Sequence, residues 1–249
     1  MSMRLIAATV GALTLPGAAA AADFNPPQGC ETFLTVQARE CSVSNFYRCE
    51  GSAPVRLWEA LFSGDGIQSI VAYDDKYQWL DARYAWDNSR EELLPPAEDP
   101  IDIDALIEEG IDTFRFTMRR SAPDDSREIT VVGADILTDT TSTIDGRVLE
   151  HVRTEMQILR ANGTVEYHAR GIQYLDRDER LFFLGPEEVY DEAGNATPFD
   201  GSPVDFITPG EPGFAQTLPL YECDQQKAGF SPAPVAPAIG GKETDHDQI

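Results

Sequence analysis

Apolar and polar residues alternate with a period of two along most of the chain. Between Thr113 and Arg119, Phe114, Phe116 and Met118 share one face, and Thr113, Arg115, Thr117 and Arg119 share the other. That is the pattern of a strand with one dry side. Ile67, Ser69, Val71 and Tyr73 alternate in the same way with Gln68, Ile70 and Ala72, and Tyr77 and Trp79 continue beyond a polar turn. Ile129 and Val131 follow the Pro123-Asp124-Asp125 turn, and short apolar runs stand at 181–184 and 204–207. Only Ile101 to Glu109 reads as a helix, with Pro100 before it, Asp102 and Asp104 in its first turn and Gly110 after its end. The pattern predicts about eleven antiparallel strands and one short helix. It predicts a mainly β single domain whose sheet is curved, half-barrel or barrel-like.

The best-defined element is a hairpin over 147–175. Asn162-Gly163 is a strong signal for a two-residue turn. A two-residue loop places Ile158 opposite Tyr167, Met156 opposite Ala169 and Thr154 opposite Gly171 on a packed face. The other face then pairs Glu155 with Arg170, opposite charges across the strands. A three-residue loop shifts the register by one and sets Ile158 against Glu166, so the two-residue register is preferred. Asp145-Gly146 is a second turn of the same chemistry.

The ends of the chain lie outside this pattern. Arg4, the apolar run Leu5 to Leu15, the break at Pro16-Gly17 and the small residues Ala20 and Ala22 form a signal peptide over 1–22, with cleavage before Asp23. The run is too short to span a bilayer, and no later segment approaches a membrane span. The expected domain is 23–225. Residues 226–249, with Pro232, Pro234 and Pro237, read as a disordered acidic tail. The expected location is periplasmic or secreted.

Four cysteines in an exported chain argue for two disulfides. If Arg39-Glu40 is the tip of a hairpin between 31–38 and 42–47, Cys30 lies opposite Cys49 and Cys41 is left for Cys223. A Cys41–Cys49 bridge stays open, because neither tip residue favours positive φ.

The 19 basic and 43 acidic residues give a net charge of -24. Such a surface repels phosphate backbones, so nucleic acid is not expected as a partner. A cationic protein is compatible with it, and so is simple solubility. Chemistry-bearing motifs are absent: no H-E-x-x-H, G-x-S-x-G or phosphate-cradling glycine loop occurs. His151 and His168 stand too far apart on the hairpin to share a metal ion, and the third histidine, His246, lies in the tail. The stretch from Asp176 to Glu187 starts like a calcium loop but puts Leu181 where a glycine is required. A calcium site from irregular acidic loops such as Asp191 to Asp200 stays open. No catalytic residue, metal ligand or cofactor is assigned.

One dry sheet face with a single short helix to cover it must meet another sheet, curl on itself or hold a ligand. Phe114, Phe116, Met118, Trp58 and Trp79 are the candidate ligand-binding residues. Clustered aromatics are also what ordinary sheet cores contain. The lipocalin Gly-x-Trp signature is missing. In architecture alone the pattern resembles the half-barrel of periplasmic lipoprotein carriers, with no motif from which residues carry over. The expected function is an exported binding module for an apolar or amphipathic small molecule. An acidic protein–protein interaction or envelope-structural domain is the alternative, and a hydrolase without a recognisable motif the second.

Overall fold

A computed structural model describes residues 23–191 and 193–226. The signal segment and all but the first residue of the tail lie outside the described residues. Thirteen strands run in chain order: β1 Cys30–Ala38, β2 Ser42–Cys49, β3 Leu57–Ser63, β4 Gly66–Tyr73, β5 Trp79–Tyr84, β6 Arg90–Leu93, β7 Ile111–Ala122, β8 Asp125–Ile144, β9 Arg147–Arg160, β10 Val165–Asp176, β11 Leu181–Tyr190, β12 Ala196–Asp200 and β13 Pro203–Ile207. Helix α1, Ile103–Glu109, lies between β6 and β7, and a single turn, α2, Cys223–Gln226, follows the sheet. The mainly β class holds. The strand count exceeds eleven, partly because the last apolar stretches divide into β11, β12 and β13.

Each strand from β1 to β12, apart from β1 itself, pairs antiparallel with its predecessor, and β13 pairs with β1. β12 is bonded to β11 as far as Asp200↔Pro186, and β13 is bonded to β1 from Pro203↔Ala38. Only Gly201 and Ser202 separate these two strands. Gly201 N–H donates to Gly185 O (3.3 Å), and Arg39 N–H donates to Ser202 O (3.0 Å). β12 and β13 run in the same direction, so they are two halves of one strand that passes from one sheet edge to the other. The sheet is thereby closed into a barrel, which removes its edges.

Parity along the strands decides which side chains enter the barrel. On β7, Phe114 (5% exposed), Phe116 (1%) and Met118 (0%) point inward, as the alternation predicts. They pack with Val131, Ile158 and Tyr167 from β8, β9 and β10. Gly133 lies opposite Phe114, and a Cβ there would sit 2.4 Å from the ring, so the glycine makes room for it. The outer face of β2–β4 is covered as well. Val43, Tyr47, Ala60 and Phe62 are buried there, with Phe24 and Trp58 against them. The end of the chain crosses this side: Ala215 N–H donates to Thr35 Oγ1 (2.8 Å), and Asn45 Nδ2 donates to Gln216 O (3.0 Å).

Both disulfides are those the hairpin register favours, Cys30–Cys49 and Cys41–Cys223. The first joins cross-strand neighbours of β1 and β2. The second pins the end of the chain to the β1–β2 turn. α1 is capped as its sequence suggests. The Asp102 side chain accepts from Asp104 N–H (2.9 Å), and Gly110 closes the helix at φ 82°.

Two turns differ from expectation. Asp145-Gly146 is a two-residue turn with both φ values positive. At Asn162-Gly163 only the glycine has positive φ, and Arg160 pairs with Thr164 across a three-residue loop. A bulge between Val165 and Tyr167 then shifts the ladder by one, so Ile158↔Tyr167, Met156↔Ala169 and Thr154↔Gly171 face each other as expected. The β1–β2 hairpin repeats the device. Its turn holds Arg39, Glu40 and Cys41, and a bulge near Phe33 restores the Cys30↔Cys49 pairing.

Candidate functional site

The barrel interior contains a cavity of about 300 Å³. Its apolar wall comes from inward positions of successive strands: Val36 and Phe46 on β1 and β2, Leu61 and Val71 on β3 and β4, Trp79 on β5, Phe114 on β7 and Met156 on β9. Tyr77, in the β4–β5 turn, and Ile101, just before α1, complete the wall on the helix side. Tyr77 reaches across to Phe182 on β11, with ring centroids 4.9 Å apart. Towards the opposite rim the wall becomes polar, with Ser42, Ser63, Gln68 and Glu40. A wider cleft of about 840 Å³ shares Glu40, Thr154, Glu187 and Phe199 with the cavity.

The rim away from α1 holds a buried ion network. Arg120 Nε donates to Glu91 Oε1 (2.6 Å), and the Arg120 guanidinium also binds Glu166. Arg127 Nη2 donates to Glu166 Oε1 (3.0 Å), and Tyr84 OH donates to Glu91 Oε2 (3.1 Å). Glu91 is fully buried. Pairing makes these charges tolerable inside the barrel, and removing one partner would strand the other.

Three carboxylates of the cavity wall, Glu59, Asp135 and Glu187, have no cationic partner among the described residues. Glu59 on β3 accepts from Ser44 Oγ (2.5 Å) and Tyr73 OH (3.3 Å). Burial raises its pKa, and the two hydrogen bonds pull against that rise. Asp135 on β8 is 7% exposed. Burial raises its pKa to about 6 against a hydrogen bond from the Thr154 side chain, and its Oδ1 has no hydrogen-bond partner. Glu187 on β11 is pushed to about 7 by burial. Asp112, paired with Asp135 across β7 and β8, is raised to about 6, first by burial and then by the acids around it.

Of the five aromatic and sulfur candidates, the structure brings Phe114 and Trp79 to the cavity. Phe116 supports Trp79 edge-on, with centroids 6.1 Å apart, and Met118 is packed in the core beside it. Trp58 lies on the outer face of β3, stacked on Tyr47 at 5.6 Å and 12°, so it does not form a cavity wall. Both faces of β3 are covered, and alternation alone does not distinguish them. The sequence reading missed Glu59, Asp135 and Glu187. Their signal was an acid at an apolar-parity position, as in Leu57-Glu59-Leu61.

Elsewhere the two described histidines and the acidic loop have polar partners of their own. His151 Nε2 lies 2.7 Å from Ser142 Oγ, but among the described residues no carboxylate hydrogen-bonds its other ring nitrogen. His168 Nε2 lies 3.0 Å from Glu155 Oε1 on the exposed face. Asp191, in the loop considered for calcium, accepts from Ala193 and Asn195 N–H of its own turn. No cluster of three or more His, Cys, Asp or Glu with metal-binding geometry occurs among the described residues. No described helix is long and apolar enough to cross a membrane. No protein-family model, curated protein or solved structure matches the chain. The functional reading therefore rests on the cavity.

Proposed function

We propose that the protein is an exported binding module that holds an apolar or amphipathic small molecule inside its barrel. The observation that carries this reading is the cavity itself, walled by inward aromatic and aliphatic side chains and leading to a polar rim. Concave, mostly apolar pockets of this size with a few polar groups are the usual form of small-molecule sites. Two disulfides, one tying the end of the chain to the β1–β2 turn, suit an oxidising compartment outside the cytoplasm.

The test is titration with N-phenyl-1-naphthylamine, a neutral apolar fluorophore. The folded protein is expected to bind it at a single site with micromolar affinity. Phe114→Asp should weaken binding at least ten-fold while circular dichroism shows the sheet intact. A folded protein that leaves the probe dark would overturn the reading.

A further inference from the structure

We propose that the wider cleft receives this chain's own C-terminal segment, Phe230 to Ile239. The inference goes beyond the ligand reading and does not depend on it. Gly133 faces Phe114 on the inner side of the barrel, so Ala134 and Ile136 face outward by parity. From Ala134 the ladder runs to Glu155, Arg170, Glu188 and Pro198 in turn, an outer row that crosses β8 to β12. All five residues line the cleft of about 840 Å³, and Ile136, Ile172, Pro186 and Phe199 supply most of its other apolar surface. Four inter-strand steps make its span about 19 Å.

The described chain ends beside this cleft. Cys223 is bonded to Cys41, and Glu40 N–H donates to Glu222 Oε2 (3.4 Å). Arg39 Nη1 donates to Glu222 Oε1 (3.2 Å) and stands 3.7 Å from Asp200. Glu40 and Asp200 both line the cleft. From Gln226 the chain needs only to reach Pro232, and that stretch can extend about 20 Å. Pro232, Pro234 and Pro237 favour polyproline geometry, in which 232–239 covers about 25 Å, enough to cross the five strands. Charge fits as well. The cleft carries five carboxylates and two arginines. Gln225 to Lys242 is the longest acid-free run after residue 22, and it holds two of the three lysines of the chain. Most segments of so acidic a protein would be repelled there, whereas this one brings Phe230, Val235 and Ile239 without a negative charge. A short tether also sets an effective concentration of about millimolar, so a weak contact suffices to fill the cleft.

The experiment is zero-length carbodiimide cross-linking of the whole mature protein at physiological salt, with the joined peptides mapped by mass spectrometry. Lysines make the readout simple, because Lys76 is held by Asp102 and Asp104 and the other two lie at 227 and 242. A segment that crosses from β12 towards β8 carries Lys242 to the far side, so Lys242 is expected to couple mainly to Glu155. An equal mixture of unlabelled and heavy-nitrogen-labelled protein should show that the two residues belong to one chain. Val235→Ser combined with Ile239→Ser should cut the Lys242–Glu155 product about five-fold or more, since two apolar side chains no longer leave water. Ile172→Asn should cut it from the cleft side, with circular dichroism confirming the sheet. Coupling of Lys242 spread over other exposed acids such as Glu98 and Glu128 would overturn the proposal. So would Lys242 left uncoupled, or a product unchanged by the paired serine variant. Mixed-label products would make a second copy the occupant and overturn docking within the chain.

Discussion

Asp112 and Asp135 face each other across β7 and β8, each with a pKa near 6, and Glu187 lies further round the wall near 7. An unfolded chain would release these protons near pH 4. Between about pH 4 and 7 the folded state therefore binds more protons than the unfolded state, and stability falls as pH rises through that window. For Asp135 the shift corresponds to about 2–3 kcal/mol at neutral pH. Asp104 and Glu188 are shifted the opposite way by their hydrogen-bond partners, and what they contribute is lost only on stronger acidification. The expected outcome is a higher melting temperature at pH 5 than at pH 7.5. Asp135→Asn should raise the neutral value and flatten the slope, both followed by circular dichroism. A melting temperature that climbs from pH 5 to 7.5 would contradict the assigned burial. These carboxyls were not legible in the sequence because 43 acidic residues make residue type uninformative. Only their inward parity distinguishes the cavity acids Glu59, Asp135 and Glu187 from the solvated ones.

The strands themselves were legible, because burial on one side imposes a period of two whatever the tertiary detail. Phe114, Phe116 and Met118 are inside as their spacing requires, and α1 starts and stops at its cap residues. Loop length was less legible. A two-residue and a three-residue turn differ by one step of register, and a bulge can absorb that step. Near Asn162 this is what happens, so the pairing predicted for the body of β9 and β10 holds while the turn does not. The two turn residues should therefore behave differently. Gly163→Val forces a β-branched residue to φ 81° and should cost about 1 kcal/mol or more. Asn162→Val removes the acceptor for Thr164 N–H (3.0 Å) on an exposed loop and should cost less. Equal losses in chemical denaturation would point back to a two-residue turn.

At the scale of the molecule, closure depends on the last part of the sheet. Cys41–Cys223 joins residues 182 apart and holds the terminal segment over the outer face of β1 and β2. Cys223→Ser paired with Cys41→Ser should destabilise the protein by about 2–5 kcal/mol, read from denaturant midpoints. Hydrogen exchange should rise first at Thr35, Asn45 and Ala215. An unchanged midpoint would show that the strap is held without the bridge. Barrel closure had no local signature, because it lies in the partners β12 and β13 choose rather than in their own residues. The passage of this strand from β11 to β1 also fixes an order of events. Synthesis proceeds from the N-terminus, so β1 emerges early and must wait for residues 203–207, almost the last of the domain, before its second edge is paired. Through that interval the growing chain carries open strand edges that favour pairing with other chains. The seam is therefore both the final step of assembly and the point at which an incomplete chain is most exposed to self-association.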